Sequence, residues 1–362
     1  MKVLIRADAS LHIGTGHVMR CITLADALSQ KGADCQFICK IHAGHLIDFI
    51  RSKGYVVHAL PLAEQACDAI ADELPHSQWL GTTQQQDASA CLPIVLTQKP
   101  DWLVVDHYAL DARWEQQLVP HCGNMMVIDD LADRRHVCDL LLDQTYARDA
   151  ADYSSLVPAD CQLLCGSQYA LLRPEFAALR PYSLQRRVQP RLRKLLITMG
   201  GVDRDNVSSQ VLIALRASSL PPDCQISVVI GSTAPWLAQV QQLAQEMPWV
   251  TQVLVGVNDM AQLMADSDLA IGAAGATSWE RCCLGLPTIM LVLASNQKHV
   301  AQALKQAGAA RNIPHTEDIA SCLPRLLDEL LKQPTALQTM SQSAASIVDG
   351  QGIANLLHML ER

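Results

Sequence analysis

The sequence has few aromatic residues, no excess of positive charge and no long uninterrupted apolar segment. Aromatic residues make up 4% of the 362 residues and hydrophobic residues 49%, so we expect cores built from Leu, Val, Ile and Ala. The net charge of −8 argues against a nucleic-acid binder, because phosphate backbones require a basic face. The longest apolar candidate, 284–294, contains Gly285 and Pro287, so no run approaches the length of a transmembrane helix.

A secretory leader, a disulfide framework and a metal site are not expected either. Arg6 and Asp8 interrupt the only apolar stretch near the N-terminus. The 13 cysteines include no CxxC pair, and we interpret them as buried free thiols of a reducing cytoplasm. Cys39, His42 and His45 have the spacing of metal ligands. However, they extend from a strand end through a loop and lack a fourth ligand. We therefore predict a cytoplasmic protein without a metal or a membrane partner.

What the sequence does contain is a regular alternation of strand-like and helical segments. One of the strands, 102–106, begins with a continuous apolar run, which is typical of a strand covered on both faces of a parallel sheet. The pattern predicts a doubly wound α/β architecture. The predicted strands are Lys2–Arg6, Cys35–Cys39, Val56–Leu60, Trp102–Asp106, Met125–Asp129, Lys194–Met199, Gln225–Ile230, Leu269–Gly272 and Thr288–Leu293.

The chain is too long for one ordinary core, and two domains of roughly 170–190 residues are the default expectation. Between residues 180 and 193 the pattern stops in a basic, proline-bearing segment. We predict an N-terminal domain over 1–180, a linker over 181–193, and a C-terminal domain over 194–362 that includes the C-terminal helices. Two doubly wound, Rossmann-like domains of this kind would face a cleft at the carboxyl ends of their strands.

His17 closes the glycine-rich turn Ile13–His17 between the first strand and a helix. Gly14 and Gly16 allow a tight turn and a close approach to a ligand. A histidine in the first helical turn feels the positive end of the helix dipole, which disfavours the imidazolium and leaves a neutral ring that can accept a proton. A nicotinamide or flavin cofactor is not predicted, because Met19 occupies the third small position of a dinucleotide fingerprint.

The second half carries three candidate ligand segments, each after a predicted strand. Gly200 and Gly201 can present backbone N–H groups to a phosphate. Glu280 can bind ribose hydroxyls, with Gly275, Thr277 and Ser278 preceding it; the alternative is a capping box of Thr277 and Glu280. Two amides can recognise sugar hydroxyls or acetamido groups, and here the alternative is simple helix capping by Ser295 or Asn296. These two amides are Asn296 and Gln297.

Polar residues also follow two strands of the first half. Asp106, His107 and Tyr108 end a buried strand, where polar groups are costly unless they are hydrogen-bonded or used. Asp129 and Asp130 end the next strand, and Asp133, Arg134 and Arg135 follow them. For this second group, ligand contact and loop scaffolding remain equal alternatives.

In this order, the motifs resemble those of the UDP-2,4-diacetamido-2,4,6-trideoxy-β-L-altropyranose hydrolases of pseudaminic acid biosynthesis, which supply surface glycans and share the GT-B fold of MurG-type glycosyltransferases. The resemblance covers nearly the whole chain. It departs over about 63–98, which is longer than in compact members. The segments that carry it are Arg6–Ser10, Ile13–Arg20, Asp106–Tyr108, Asp129–Arg134, Tyr169–Phe176, Met199–Asp203, Gly272–Glu280 and Asn296–Gln297.

The resemblance implies a small-molecule UDP-sugar substrate, a catalytic His17 and a UDP-binding second domain. His17 would activate a water molecule for inverting attack at the anomeric carbon, without a metal or other cofactor. Asp8 is the candidate that orients its ring, and Arg20 is a further substrate-binding candidate. We expect a monomer. A MurG-like glycosyltransferase and a non-catalytic nucleotide-sugar-binding protein are the alternatives.

Overall fold

The computed structural model describes residues 1–62, 74–232 and 234–360. The chain divides into two compact units: unit 1 comprises residues 1–171 and 352–362, and unit 2 comprises residues 172–351. Each unit contains a parallel sheet with helices, which confirms the predicted α/β class. Among the described ranges, no helix combines the length and the apolar character needed to cross a membrane.

Unit 1 is built around a parallel sheet whose strand order reverses once. The described strands are β1 (Lys2–Ala7), β2 (Asp34–Lys40), β3 (Val56–Leu60), β4 (Trp102–Asp106), β5 (Asn124–Ile128), β6 (Leu140–Asp143) and β7 (Gln162–Cys165). Their helices are α1 (Gly16–Gln30), α2 (Ile47–Ser52), α3 (Gln84–Gln98) and α4 (Ala112–Leu118). The order β3-β2-β1-β4-β5-β6-β7 reverses between β1 and β4. Ligands of open α/β sheets bind beside such a reversal, at the carboxyl ends of the strands.

The helix α1 forms where the sequence pattern predicts it. Its apolar residues recur at three- and four-residue spacing, and all of them are buried against the sheet. The helix begins at Gly16, one residue earlier than expected, within the uncertainty of helix ends. The buried stripe consists of Val18, Cys21, Leu24, Ala25 and Leu28.

Unit 2 repeats this plan. Its helices are α5 (Pro174–Arg186), α6 (Val207–Leu215), α7 (Leu237–Gln245), α8 (Met260–Asp266), α9 (Thr277–Cys283), α10 (Lys298–Gln306), α11 (Ile319–Lys332) and α12 (Pro334–Ala345). Its strands are β8 (Lys194–Thr198), β9 (Gln225–Ile230), β10 (Val250–Val255), β11 (Leu269–Ala273), β12 (Thr288–Leu291) and β13 (Ala310–Ile313). The order β10-β9-β8-β11-β12-β13 reverses between β8 and β11.

The predicted linker over 181–193 is wrong in its first half, because α5 continues to Arg186. The segment is anchored by polar contacts rather than by an apolar stripe. Ser183 Oγ donates a hydrogen bond to the carbonyl oxygen of Leu284 at 2.7 Å, and the buried Arg187 donates to that of Ser267 at 2.7 Å. A search for hydrophobic periodicity does not detect a helix held in this way.

The predicted C-terminal boundary also needs correction. The last helix, α13 (Gly352–Leu360), belongs to unit 1, where Leu356, Leu357 and Leu360 join the core that contains β1 and α1. Gly352 lies against the backbone of Ala170, and an added Cβ would lie 2.2 Å from its carbonyl oxygen. Because α13 directly follows unit 2 in the sequence, we assigned it to the C-terminal domain. No sequence pattern indicated that the chain goes back to unit 1.

Four strands were not predicted: β6, β7, β10 and β13. Three of them have only four residues, and β10 is an edge strand with partly exposed side chains. Runs of this length lack a measurable period. The described cysteines are free thiols.

Candidate active site

His17 is paired with Asp106 in unit 1. Its Nδ1 lies 2.6 Å from Asp106 Oδ1, and both side chains are buried or nearly so. Because the ionised carboxylate can only accept, Nδ1 is the protonated nitrogen, and Nε2 is left as the acceptor. Among the described residues, no hydrogen bond joins Nε2 to a protein group.

Arg20, one turn after His17 on α1, holds the same carboxylate. Its Nε donates to Asp106 Oδ2 at 2.6 Å and its Nη2 to Asp106 Oδ1 at 2.7 Å. Its Nη1 reaches Asp130 Oδ2 at 2.5 Å, and Tyr108 Oη donates to that same oxygen at 2.7 Å. Arg20 thereby serves as a clamp on Asp106 rather than as a free substrate-binding cation.

The charges of this network keep Asp106 ionised. Burial by itself would raise the pKa of Asp106, but the positive charge of Arg20 and the contact with His17 outweigh burial and hold the pKa well below its usual range. Burial and the neighbouring Asp130 raise the pKa of Tyr108 well above its usual value, so its hydroxyl remains a donor.

The glycine-rich turn holds His17 in position. Gly14 has a φ of +80°, which favours glycine, and its N–H donates to the carbonyl oxygen of Ser10 at 2.9 Å. Ser10 Oγ accepts from the N–H of Ile13 at 2.9 Å. Gly16 is exposed at the start of α1. The space beside Gly14 is open but its N–H is already bound, and ligand contact at Gly14 and Gly16 stays a prediction.

Asp8, the predicted partner of His17, lies in a different cluster. Its two oxygens accept from Arg6 at 2.6 and 2.8 Å, and Oδ1 also accepts from the N–H of Lys40 at 2.7 Å. The expectation that Asp8 orients His17 is therefore wrong. Arg6 and Asp8 are two residues apart on an extended segment, so their side chains share one face and pair with each other.

His107 belongs to the same buried cluster, which limits its predicted role in binding. Its Nε2 lies 3.4 Å from Asp8 Oδ2, and its Nδ1 accepts from the N–H of Ala109. Burial lowers the pKa of His107 despite the opposing effect of Asp8, so the ring is neutral at pH 7. Asp87 of α3 completes the cluster through Arg6 and through Lys40 Nζ at 2.8 Å.

Asp129 and Asp130, for which ligand contact and loop scaffolding were equal alternatives, have different roles in the structure. Asp129 is fully buried and accepts from Arg134 at 2.7 Å and from Tyr153 at 2.8 Å, so it is a loop scaffold. Asp130 joins the site through Arg20 and Tyr108 instead. Arg134 is itself buried and also contacts Asp133 at 3.0 Å, and Arg135 is exposed.

In unit 2, Gly200 and Gly201 follow β8 beside the strand reversal. Gly200 has a φ of +89°, and the N–H groups of both glycines lack an acceptor among the described residues. The first N–H groups of α6 are already bound, because Asp203 accepts from Val207 and Ser208 at 2.8 and 2.9 Å. A phosphate would therefore meet the glycines rather than the start of α6.

The segment after β11 differs from the predicted capping box. Ala276 is the N-cap residue of α9 and Thr277 is already helical, so Thr277 and Glu280 form no box. Ser278 is fully buried, and its Oγ accepts from the buried Arg281 at 3.1 Å, which argues against the predicted ligand contact at Ser278. Gly275 remains open, with no atom within 4 Å of a Cβ added there.

Glu280 remains a candidate ligand residue. Its side chain is 19% exposed, and one carboxylate oxygen lies 3.9 Å from Arg173 Nη2. Burial raises the pKa of Glu280 to about 7, against the opposing effect of Arg173. Its charge therefore changes near neutral pH.

The two amides after β12 behave differently. Gln297 Oε1 accepts from the N–H of Leu293 at 2.9 Å, which orients the amide and leaves its NH₂ group to donate to a ligand. Asn296 is half-buried, and neither Ser295 nor Asn296 makes a side-chain cap. The capping alternative is therefore wrong for these residues.

The site also contains residues that the sequence analysis missed. Two of them come from the stretch 63–98: Trp79 contacts the rings of His17 and Tyr108, and His76 contacts the ring of Tyr108. Residues 63–73 of this stretch lie outside the described residues. No sequence pattern singled these rings out. Within the described residues, no three His, Cys, Asp or Glu side chains are grouped so that they could hold a metal ion.

Comparison with solved structures identifies the class of fold. Over 99% of both chains, the structure is similar to that of MurG from Acinetobacter baumannii, with a TM-score of 0.70 and 16% sequence identity. It is also similar to the UDP-GlcNAc 2-epimerase of Neisseria meningitidis over 100% of both chains, with a TM-score of 0.60 and 13% identity. The chain thus has the GT-B fold, as predicted.

Sequence comparison then gives particular relatives. Residues 195–355 match the glycosyltransferase family 28 C-terminal domain. The chain is 28% identical to the UDP-2,4-diacetamido-2,4,6-trideoxy-β-L-altropyranose hydrolase of Campylobacter jejuni, over 85% of this chain and 97% of that protein. It is 25% identical to the spore coat polysaccharide biosynthesis protein SpsG of Bacillus subtilis, over 100% and 98% of the two chains. The resemblance expected from the motifs is therefore confirmed.

Proposed function

We propose that the protein is a UDP-sugar hydrolase that cleaves the bond between the anomeric carbon and the terminal phosphate oxygen, with inversion at that carbon. The observation that carries the proposal is the His17–Asp106 pair, which leaves Nε2 available as a base. The similarity to the Campylobacter jejuni hydrolase supports it. That similarity supports UDP-2,4-diacetamido-2,4,6-trideoxy-β-L-altropyranose as the substrate and pseudaminic acid biosynthesis as the pathway.

In this mechanism His17 acts on water. Its Nε2 takes a proton as the water oxygen bonds to the anomeric carbon, on the face opposite the nucleotide. The ionised Asp106 stabilises the imidazolium that forms. The electron pair of the breaking C–O bond leaves with UDP. A diphosphate is already a good leaving group, so no strong general acid is required.

Unit 2 has the nucleotide-binding role in this proposal. The N–H groups of Gly200 and Gly201, which have no acceptor among the described residues, would meet the phosphate charge. Glu280 would accept hydrogen bonds from the ribose hydroxyls, and the amides of Asn296 and Gln297 would bind sugar substituents. Backbone amides would thus meet the charge that develops on the leaving group, and we infer that turnover needs no divalent ion.

The experiment is a proton NMR time course of the purified chain with this UDP-sugar, in EDTA and without an acceptor. We expect UDP release and an inverted anomeric signal in the first-formed sugar. His17→Ala should lose turnover and retain UDP affinity. A requirement for a divalent ion would contradict the mechanism.

A glycosyltransferase is the second candidate, favoured by the match of residues 195–355 to a glycosyltransferase domain. A MurG-type N-acetylglucosamine transferase from Pseudomonas putida is 30% identical over 42% of this chain. In that case UDP release would depend on an added acceptor. A non-catalytic binder would bind the UDP-sugar equally well with and without His17 and would release no UDP.

A further inference from the structure

Aromatic rings meet beside the His17–Asp106 pair. The ring centroid of Trp79 lies 4.4 Å from that of His76 and 5.8 Å from that of Tyr108, to which it is stacked. The distance between the centroids of Trp79 and His17 is 6.4 Å. Two of these rings, Trp79 and His76, have no part in the mechanism above.

The turn that carries Trp79 is fixed to the core of unit 1. Leu80 is buried with 1% exposure, and its carbonyl oxygen accepts from Lys40 Nζ at 2.9 Å. Trp79 itself is only half-buried. Its position is therefore set by the anchored turn 77–80, while part of its ring remains available for contact.

Trp79 offers an apolar indole ring, and the imidazole of His76 beside it carries no charge. Burial lowers the pKa of His76, and although Asp133 opposes this, the ring is neutral at pH 7. His17 also contacts the ionic network of Arg20 and Asp106, through Asp106 Oδ1 at 2.6 Å. Two chemically different surfaces thus adjoin the proposed base.

The proposed substrate has matching apolar groups. A 2,4-diacetamido-2,4,6-trideoxy sugar carries two acetyl methyl groups and a methyl at C6, where a common UDP-hexose has hydroxyls. Aromatic walls with few polar groups are typical of sites that select such ligands, because removing methyl groups from water is favourable.

We propose that Trp79, supported by His76, forms the subsite for the methyl-bearing substituents of the sugar and thereby determines specificity for deoxy, acetamido sugars over hydroxylated ones. The inference rests on the proposed function. Trp79 acts by contact with the sugar and leaves the nucleotide untouched.

Steady-state kinetics with two substrates test this role. Trp79→Ala should lower kcat/KM for the diacetamido UDP-sugar by about tenfold or more, the size of a lost aromatic contact. Its kcat/KM for UDP-glucose, which has hydroxyls in place of these substituents, and its affinity for UDP should change far less. Trp79→Phe should retain most of the wild-type kcat/KM for the diacetamido UDP-sugar. Gln78→Ala, an exposed neighbour on the same turn, is the matched control. An equal loss with both UDP-sugars would overturn the inference, since Trp79 would then only support His17.

A binding measurement separates this inference from the hydrolase proposal. In saturation-transfer NMR with His17→Ala protein, the methyl protons of the diacetamido UDP-sugar should receive strong saturation, and Trp79→Ala on that background should abolish it while the uracil protons keep theirs. Methyl saturation that persists without Trp79 overturns the subsite. Methyl saturation that depends on Trp79, together with a wild-type protein that releases no UDP, contradicts only the hydrolase.

Discussion

Asp106 Oδ1 lies 2.6 Å from His17 Nδ1, although the two residues are 89 positions apart. Strand topology explains the contact. β1 and β4 are neighbours at the reversal of strand order, with Ala7 paired to Asp106, and α1 starts shortly after β1. A residue at the end of β4 therefore meets the first turn of α1, and the orientation of the proposed base depends on the sheet.

Asp106→Asn tests this orientation. An amide can present N–H to Nδ1 and favour the wrong tautomer, and it cannot stabilise an imidazolium. We expect kcat to fall by about 10²–10⁴-fold. Affinity for UDP, measured by calorimetry, should be unchanged. The exposed Asp34→Asn is the control, and a fully active Asp106→Asn enzyme would show that Asp106 serves only the fold.

Arg20→Lys tests the clamp. An ammonium cannot reproduce the two parallel contacts of the guanidinium and also reach Asp130. Losing a hydrogen bond to a charged group costs about 1.5–3 kcal/mol, so urea unfolding should report a drop in stability of that size. The kcat should fall as well, because Asp106 is then free to move. Unchanged kcat with reduced stability would separate the clamp from catalysis.

Asp87→Asn tests the buried cluster. The substitution removes one of the carboxylates that neutralise Arg6 and Lys40. We therefore expect the free energy of unfolding to fall by about 3–5 kcal/mol at pH 7. Burial by itself would raise the pKa of Asp87, but the positive charges of Arg6 and Lys40 outweigh burial and lower this pKa in the folded protein. Its contribution is therefore present above the unfolded pKa of about 3.9 and is lost as the pH falls through the lower folded value.

The measurement for Asp87 is urea unfolding of wild type and variant at pH 7 and at low pH. The difference between the two proteins should shrink as the solution is acidified. Asp48→Asn, whose side chain is 88% exposed, should show no such difference at either pH. A deficit that does not depend on pH would point to lost packing rather than lost charge.

Glu280→Gln tests the ribose contact. An ionised carboxylate accepts stronger hydrogen bonds than a neutral group. Since the pKa of Glu280 is about 7, UDP affinity should rise between roughly one pH unit below and one above that value. The variant should bind UDP more weakly and without this rise. If the pH dependence persists in Glu280→Gln, another group titrates with the ligand.

Local patterns predicted the scaffold. The bounds of β3, β4 and β9 match the expected ranges because their apolar runs are bounded by turn residues. His17 was recognised because the glycines before it and the apolar stripe after it are both local signals. Short strands such as β6 and β13 carry too few residues for such a signal.

The partners of the candidate residues were harder to predict. Asp8 is closer to His17 in sequence than Asp106 is, but Asp8 pairs with Arg6 on its own face of the chain. That pairing could have been inferred from the two-residue spacing. The burial of Ser278 against Arg281 could not have been inferred from the sequence, because it depends on which side of α9 packs against the sheet.

The helix α13 has a consequence for how the protein is made. Leu356 and Leu360 complete the core on which β1 and α1 rest, and they are synthesised after the whole of unit 2. Domains usually fold in the order of their synthesis, N-terminal first. Here the unit that carries His17 receives these core residues only after unit 2 has been synthesised. Its nascent form therefore exposes an apolar surface until α13 has been synthesised and has left the ribosome.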